Sequence, residues 1–199
     1  MDFNAAKKYI LHRLETELHS NLYYHGIHHT VDVFEATVKL AELEKLNEEN
    51  KIIVGTAALF HDSGFLVRYE HNEEIAVDLV KTVLPQFQYG KKAINTIGQI
   101  ILTTKVTARP TTLLEKIMSD ADFDYLGRED VYKIAATLYQ ELIEFGVYFS
   151  PEEWNVLQYK FLKKHQYYTN SAIKLRSSSK GEYLNYIKSI QVFAFAAAS

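Results

Sequence analysis

Apolar residues recur at spacings of three and four along most of the chain, and only three prolines and eight glycines interrupt them. That periodicity predicts an all-α protein. A first helix is expected over about 4–19, with Ala6, Tyr9, Ile10, Leu14 and Leu18 on its inner face. A second begins near Gly26 and runs to about Leu46, burying Val31, Phe34, Val38 and Ala41 or Leu43. Asn47 is placed to cap a third, from about Glu48 to His61. After Ile52 this helix is apolar nearly all round, as a buried helix is. Gly64 is expected to end it, and Pro85 to stop a fourth helix over Asn72 to Leu84. Further helices are predicted over 88–103, 111–118 and 129–147. Ser150-Pro151-Glu152-Glu153 reads as a capping box with proline in the first turn, opening a helix over 151–165. Two more follow, over 167–178 and 181–195. The tail 193–199 is either a frayed helix end or a strip that docks on a second subunit, so a homodimer is a candidate state. No repeat, low-complexity tract or long linker divides the chain.

At 199 residues and 47% hydrophobic content the chain has material for one ordinary core. It contains no cysteine, which excludes disulfides, thiolate metal sites and a cysteine nucleophile. No stretch approaches the ~20 apolar residues of a membrane span, and the amino terminus lacks a signal-peptide pattern. The expectation is a cytoplasmic protein with no membrane partner. Net charge is −3 but unevenly spread: residues 155–199 hold seven Lys/Arg and one Glu, leaving 15 basic and 24 acidic residues in 1–154. Either the basic carboxy-terminal helices pack on an acidic body, or some of these lysines line an entrance for an anionic substrate.

The polar exceptions to the apolar pattern carry the chemistry. His61-Asp62 follows the apolar run 52–60 directly, and burying both side chains is costly unless something pairs with them. A divalent metal suits one imidazole and one carboxylate together. On a regular helix these neighbours diverge by about 100°, so both reach one ion only where the helix ends. Tyr24-His25-Gly26-Ile27-His28-His29 lies upstream, and Ser119-Asp120-Ala121-Asp122-Phe123-Asp124 follows the apolar 113–118 segment downstream. Mixed imidazole and carboxylate donors favour Mn, Fe, Co, Ni or Zn over Mg.

The order His … His-Asp … Asp resembles the HD-domain metal-dependent phosphohydrolase superfamily. The resemblance implies a single HD-domain helical bundle of roughly eight to ten helices. Its motif core spans about 20–130 and its carboxy-terminal helices about 150–195. A Tyr-His-x-x-x-His pattern lands the first metal ligand on His29, with His28 as the lesser candidate. His61 and Asp62 follow, and the last ligand falls on Asp122 of an Ala-Asp turn, with Asp120 two residues away. Asp120 and Asp124 then support the ligands, cap helices or stand solvated. Two-metal members carry a further histidine pair between the dyad and the last aspartate. Here that interval holds only His71, so one divalent ion is expected.

Asn72-Glu73-Glu74-Ile75-Ala76, Thr104-Lys105 and Asp120-Ala121-Asp122-Phe123-Asp124-Tyr125-Leu126-Gly127 are similar to motifs of a bacterial subgroup of predicted HD phosphohydrolases. Glu73 is a candidate to orient or deprotonate the attacking water, or else a helix-start charge favoured by the dipole. Lys105, His71 and Arg68 are candidates to hold the substrate. His25 is a candidate general acid, as the first histidine of a similar pattern is in related phosphodiesterases. If helical, His25 and His29 share a face one turn apart. Tyrosines such as Tyr23, Tyr24, Tyr167 and Tyr168 offer a base-stacking platform or, more commonly, amphipathic core. No Gly-rich phosphate loop occurs.

The implied reaction is hydrolysis of a phosphate ester, of a nucleotide in the favoured case, by hydroxide formed on the metal, with Asp62 serving both as ligand and in catalysis. The partner is then a small phosphate ester rather than nucleic acid. The rival reading is a sensor that binds a nucleotide or metal on the same fold without turnover. An oxidative enzyme on this fold is disfavoured by the histidine count.

Overall fold

A computed structural model of the protein describes residues 1–147 and 150–197, with side chains through Ile190. The tail readings for 193–199 therefore lie outside the described side chains. Among the described residues the structure is all helical, as expected, with nine α-helices and no strand. They are α1 (Phe3–Glu17), α2 (Ile27–Leu43), α3 (Glu48–Phe60), α4 (Asn72–Val83), α5 (Lys91–Leu102), α6 (Leu113–Asp122), α7 (Val131–Glu144), α8 (Pro151–Lys164) and α9 (Asn170–Ala197). Short 3₁₀ turns at Ser63–Leu66, Leu84–Phe87 and Asp124–Gly127 join some of them. No described helix is long and apolar enough to cross a membrane.

The start signals act as their chemistry predicts. The Asn47 side chain accepts from the Asn50 N–H at 2.9 Å to cap α3. Ser150 and Glu153 form the reciprocal capping box of α8. A second box, Thr112 with Glu115, opens α6. Every residue of α3 from Ile53 to Phe60 is buried, and α3 packs against α1, α2, α5 and α6 at the centre of the main core.

Three expectations need correction. Of the residues expected inside on α2, Ala41 is buried and Phe34 packs half-buried against the core, but Val38 and Leu43 do not belong to the inner face. That face is His29, Thr30, Val33, Ala36, Thr37, Leu40 and Ala41, while Val38 and Leu43 are 40% and 48% exposed. Small and polar residues let α2 lie close against α3 and α6, and this packing overrides the apolar count. The segment after Met118 is not a turn, because α6 continues to Asp122. The predicted helices 167–178 and 181–195 are a single helix, α9, which runs straight through Gly181.

Two apolar clusters result. One unites α1 to α6. The other joins α7, α8 and α9 around Tyr24, Tyr125 and Leu126. His25, His29, Asp62 and Asp122 line a cavity bordered by residues of the second cluster.

Candidate metal centre

The site is assembled from helix ends. His29 sits in the first turn of α2, on its buried face. His61 caps the C-terminus of α3 with φ −56° and Asp62 departs from the helix at φ −98°. This is the break that allows two sequence neighbours to converge. Ser63 secures it by donating to the Phe60 carbonyl at 2.7 Å. Gly64 is required by close approach, since a Cβ there would lie 1.9 Å from the Asn72 carbonyl oxygen at the start of α4. Asp122 is the last residue of α6.

His29, His61 and Asp122 each present a donor atom within 4.8 Å of the other two, a spacing at which a metal ion can be held. His29 Nε2 lies 3.2 Å from Asp122 Oδ1 and 3.5 Å from Asp62 Oδ2. His61 Nε2 lies 3.0 Å from Asp62 Oδ2 and 3.7 Å from Asp122 Oδ1. Ligands about 2.1 Å from one ion sit roughly 3.0–3.4 Å apart at octahedral or tetrahedral angles.

Two further observations fit a cation here. His61 Nδ1 is 2.8 Å from the Ala58 carbonyl, which assigns its proton to Nδ1 and leaves the Nε2 lone pair free. That Nε2 and Asp62 Oδ2 are both buried without a hydrogen-bond partner. Burial lowers the His61 pKa, yet the charges of Asp62 and Asp122 outweigh it and raise it to about 9. For Asp62, burial acts upward, but His61, His25 and His29 hold it below the usual carboxylate range. A field that favours positive charge on a buried ring also favours a cation beside it.

Of the alternative ligands, the aspartates have other partners. His28 is exposed. Asp120 is 1% exposed and accepts from the Tyr168 N–H (2.8 Å), the Thr169 N–H (2.7 Å) and the Thr169 hydroxyl (2.7 Å). The Thr169 hydroxyl also accepts from the Ala172 N–H at 3.2 Å, so Asp120 secures the start of α9. Asp124 is gripped by Arg176 through two bonds of 2.7 and 2.8 Å. Neither carboxylate is solvated; both tie the end of α6 to α9.

His25 is not on α2: it precedes the N-cap Gly26, so it does not share a helical face with His29. It still reaches the site. Its ring stacks on Phe65, with centroids 4.4 Å apart, and meets His29 edge-on at 5.9 Å. Burial lowers its pKa, but the hydrogen bond to Glu141 and the charges of Asp62 and Glu141 outweigh that, and the net shift is upward. Glu141, on α7, is fully buried. It bonds His25 Nδ1, accepts from the Tyr24 and His25 N–H groups at 2.8 and 3.0 Å, and accepts from the Tyr69 hydroxyl at 3.1 Å. Sequence reasoning missed it. The available signal was a lone carboxylate on the face that also carries Val131, Ala135 and Leu138.

A cavity of about 370 Å³ opens onto His25, His29, Asp62 and Asp122, and Glu73 lines it. Lys105, His71 and Arg68 do not. Lys105 pairs with Glu74 beside the mouth, and His71 and Arg68 are exposed. No described lysine of the carboxy-terminal helices lines the cavity either. Among the tyrosines, Tyr24 lies against His29, with ring centroids 4.6 Å apart. Tyr167 is core, its hydroxyl donating to the Phe123 carbonyl at 3.1 Å.

An all-helical bundle with His29, His61-Asp62 and Asp122 at converging helix ends is the architecture of an HD domain. The HD domain family matches residues 26–123, which contain all four side chains, and the chain belongs to the HD-domain superfamily. Solved structures share the fold over nearly the whole chain. Bacillus subtilis YpgQ in complex with ADP has 22% identity and a TM-score of 0.69, covering 96% of each chain. A second structure of Bacillus subtilis YpgQ has 21% identity and a TM-score of 0.66, with the same coverage. A predicted HD superfamily hydrolase from an uncultured Thermotogales bacterium has 20% identity and a TM-score of 0.60, covering 95% of this chain and 91% of that one. No curated protein matches the sequence.

Proposed function

We propose that this chain is a metal-dependent phosphohydrolase that cleaves a phosphate ester, with nucleotides as the substrate class. One observation carries the reading: a buried His29, His61, Asp62 and Asp122 cluster at a cavity wall, with His61 Nε2 and Asp62 Oδ2 lacking any hydrogen-bond partner. Membership of the HD superfamily supports hydrolysis, and the ADP complex of YpgQ supports a nucleotide. These four side chains would hold one divalent ion from the Mn, Fe, Co, Ni and Zn group. When bound, such an ion polarises the phosphoryl oxygen and lowers the pKa of a coordinated water.

The remaining tasks fall to the chain. Glu73, on the cavity wall, orients the attacking water and accepts its proton. Glu141 fixes the His25 ring through Nδ1, which leaves Nε2 to donate a proton to the leaving oxygen. The aromatic walls keep bulk water from the reacting ester. Lys105, Arg68 and His71 have no part in this scheme.

The test is metal content and turnover of a nucleotide panel, measured for the parent protein and for His61→Ala and Asp62→Ala. The parent should bind about one equivalent of metal and hydrolyse at least one ester, and both variants should lose metal and turnover together. Stoichiometric metal without turnover of any ester would instead favour the sensor.

A further inference from the structure

Among the described residues, the buried side-chain nitrogen and oxygen atoms without a hydrogen-bond partner are Thr37 Oγ1, His61 Nε2, Asp62 Oδ2 and Asn72 Oδ1. His61 and Asp62 belong to the donor cluster, and Thr37 does not line the cavity. Asn72 does, together with Glu73, and both stand in the first turn of α4. The start of α4 is pressed against the turn that carries Asp62. A Cβ on Gly64, two residues beyond Asp62, would lie 2.6 Å from the Asn72 Cα and 1.9 Å from its carbonyl oxygen. A buried acceptor left without a donor costs a fold free energy. Here that acceptor is held at the wall of the candidate site.

An amide oxygen only accepts, so its partner must bring a hydrogen. The carboxylates of Asp62, Glu73 and Asp122 carry none when ionised, and neither does a dianionic phosphoryl group. Water does. An attacking water has two hydrogens to place before a lone pair can be aimed at phosphorus, and in the proposed reaction Glu73 accepts one of them.

We propose that Asn72 Oδ1 accepts the other hydrogen, so that Asn72 and Glu73 together set the direction of attack. This rests on the phosphohydrolase reading and adds a catalytic residue to it. As the water oxygen bonds to phosphorus and the ester oxygen departs, the hydrogen held by Asn72 stays on the new phosphate. The one taken by Glu73 is the proton lost in attack, and His25 supplies the leaving oxygen with its own.

Asn72→Leu is close in size and removes the acceptor. It should keep about one equivalent of metal. Its metal-free melting temperature should equal or exceed the parent's, because an unpartnered acceptor has given way to an apolar group. With Mn²⁺ bound, kcat should fall about 10–100-fold on both p-nitrophenyl phosphate and phenyl phosphate, since attack by water is common to good and poor leaving groups. Asn72→Asp, which keeps an acceptor oxygen, should lose at least about threefold less. Asn72→Ala, which adds no bulk, gives the same reading if the leucine does not fit. With an active parent, an unchanged kcat in Asn72→Leu and Asn72→Ala would remove Asn72 and leave the hydrolase. A lower metal-free melting temperature in both variants would make Asn72 a structural residue and overturn the proposal. A loss confined to nucleotides would overturn it by placing a substrate hydroxyl on Oδ1, and an equal loss in Asn72→Asp by making the amide N–H the contact. A parent that holds metal but turns over no ester would remove the hydrolase and this role together.

Discussion

Asp120 and Asp122 occupy the same turn of α6, and replacing each separates holding the fold from holding an ion. Asp122→Ala should lose the metal. Asp120→Ala should keep most of it but leave two buried N–H groups and a hydroxyl without their acceptor. Its expected cost is about 2–4 kcal/mol of stability, read by denaturant unfolding of the two variants alongside metal content. Glu141→Gln preserves shape while removing the charge that holds His25. On the proposed mechanism it should slow a substrate with a poor leaving group on the order of tenfold or more, and a good leaving group far less, at full metal occupancy. Equal losses on both substrates would make Glu141 a structural residue only. The candidate donors were legible because histidine and aspartate interrupt apolar runs, where burying them is costly without a partner. Glu141 was not, because its partners are 116 and 117 residues away along the chain.

At the scale of elements, the break after α3 is the critical device. Gly64→Ala drives a Cβ into the Asn72 carbonyl. The backbone must shift, at a cost of about 1–3 kcal/mol, and metal affinity should fall with melting temperature because the His61-Asp62 geometry depends on the same turn. The connection from α8 to α9 carries a pH dependence of its own. Burial, reinforced by the neighbouring Lys180 ammonium, depresses the pKa of His165 to about 3. Its contribution is therefore present above the ordinary histidine value of about 6.5 and is lost as pH falls towards the folded value. The melting temperature of the parent protein should drop more steeply from pH 7.5 to pH 5 than that of His165→Gln. Helix starts were readable here because caps are local: Asn47 and Ser150 each bond an N–H three residues on. Helix ends and faces were less so. α6 runs on to Asp122 and α9 through Gly181 because packing, not propensity, sets where a helix stops.

For the whole molecule, an ion at this centre would tie together α2, the C-cap of α3 and α6, through His29, His61 and Asp122. Removing it with a chelator should lower the melting temperature cooperatively. Metal at about 1,000 times its dissociation constant stabilises by about 4 kcal/mol. The Asp122→Ala variant should show no response to the same treatment. What the sequence by itself determined is local or compositional: the helical class, the Asn47 and Ser150 caps and the buried α3. Each follows from residues within a turn or two of one another. Tertiary structure alone decided which face of α2 turns inward, that Asp120 serves α9 rather than the donor cluster, and that Lys105 is spent on Glu74. It also decided that a glutamate of α7 reaches His25 and that a cavity opens onto the histidine–aspartate cluster. Those outcomes depend on contacts between segments far apart in the chain, where shape complementarity and charge pairing choose among many local options of nearly equal energy.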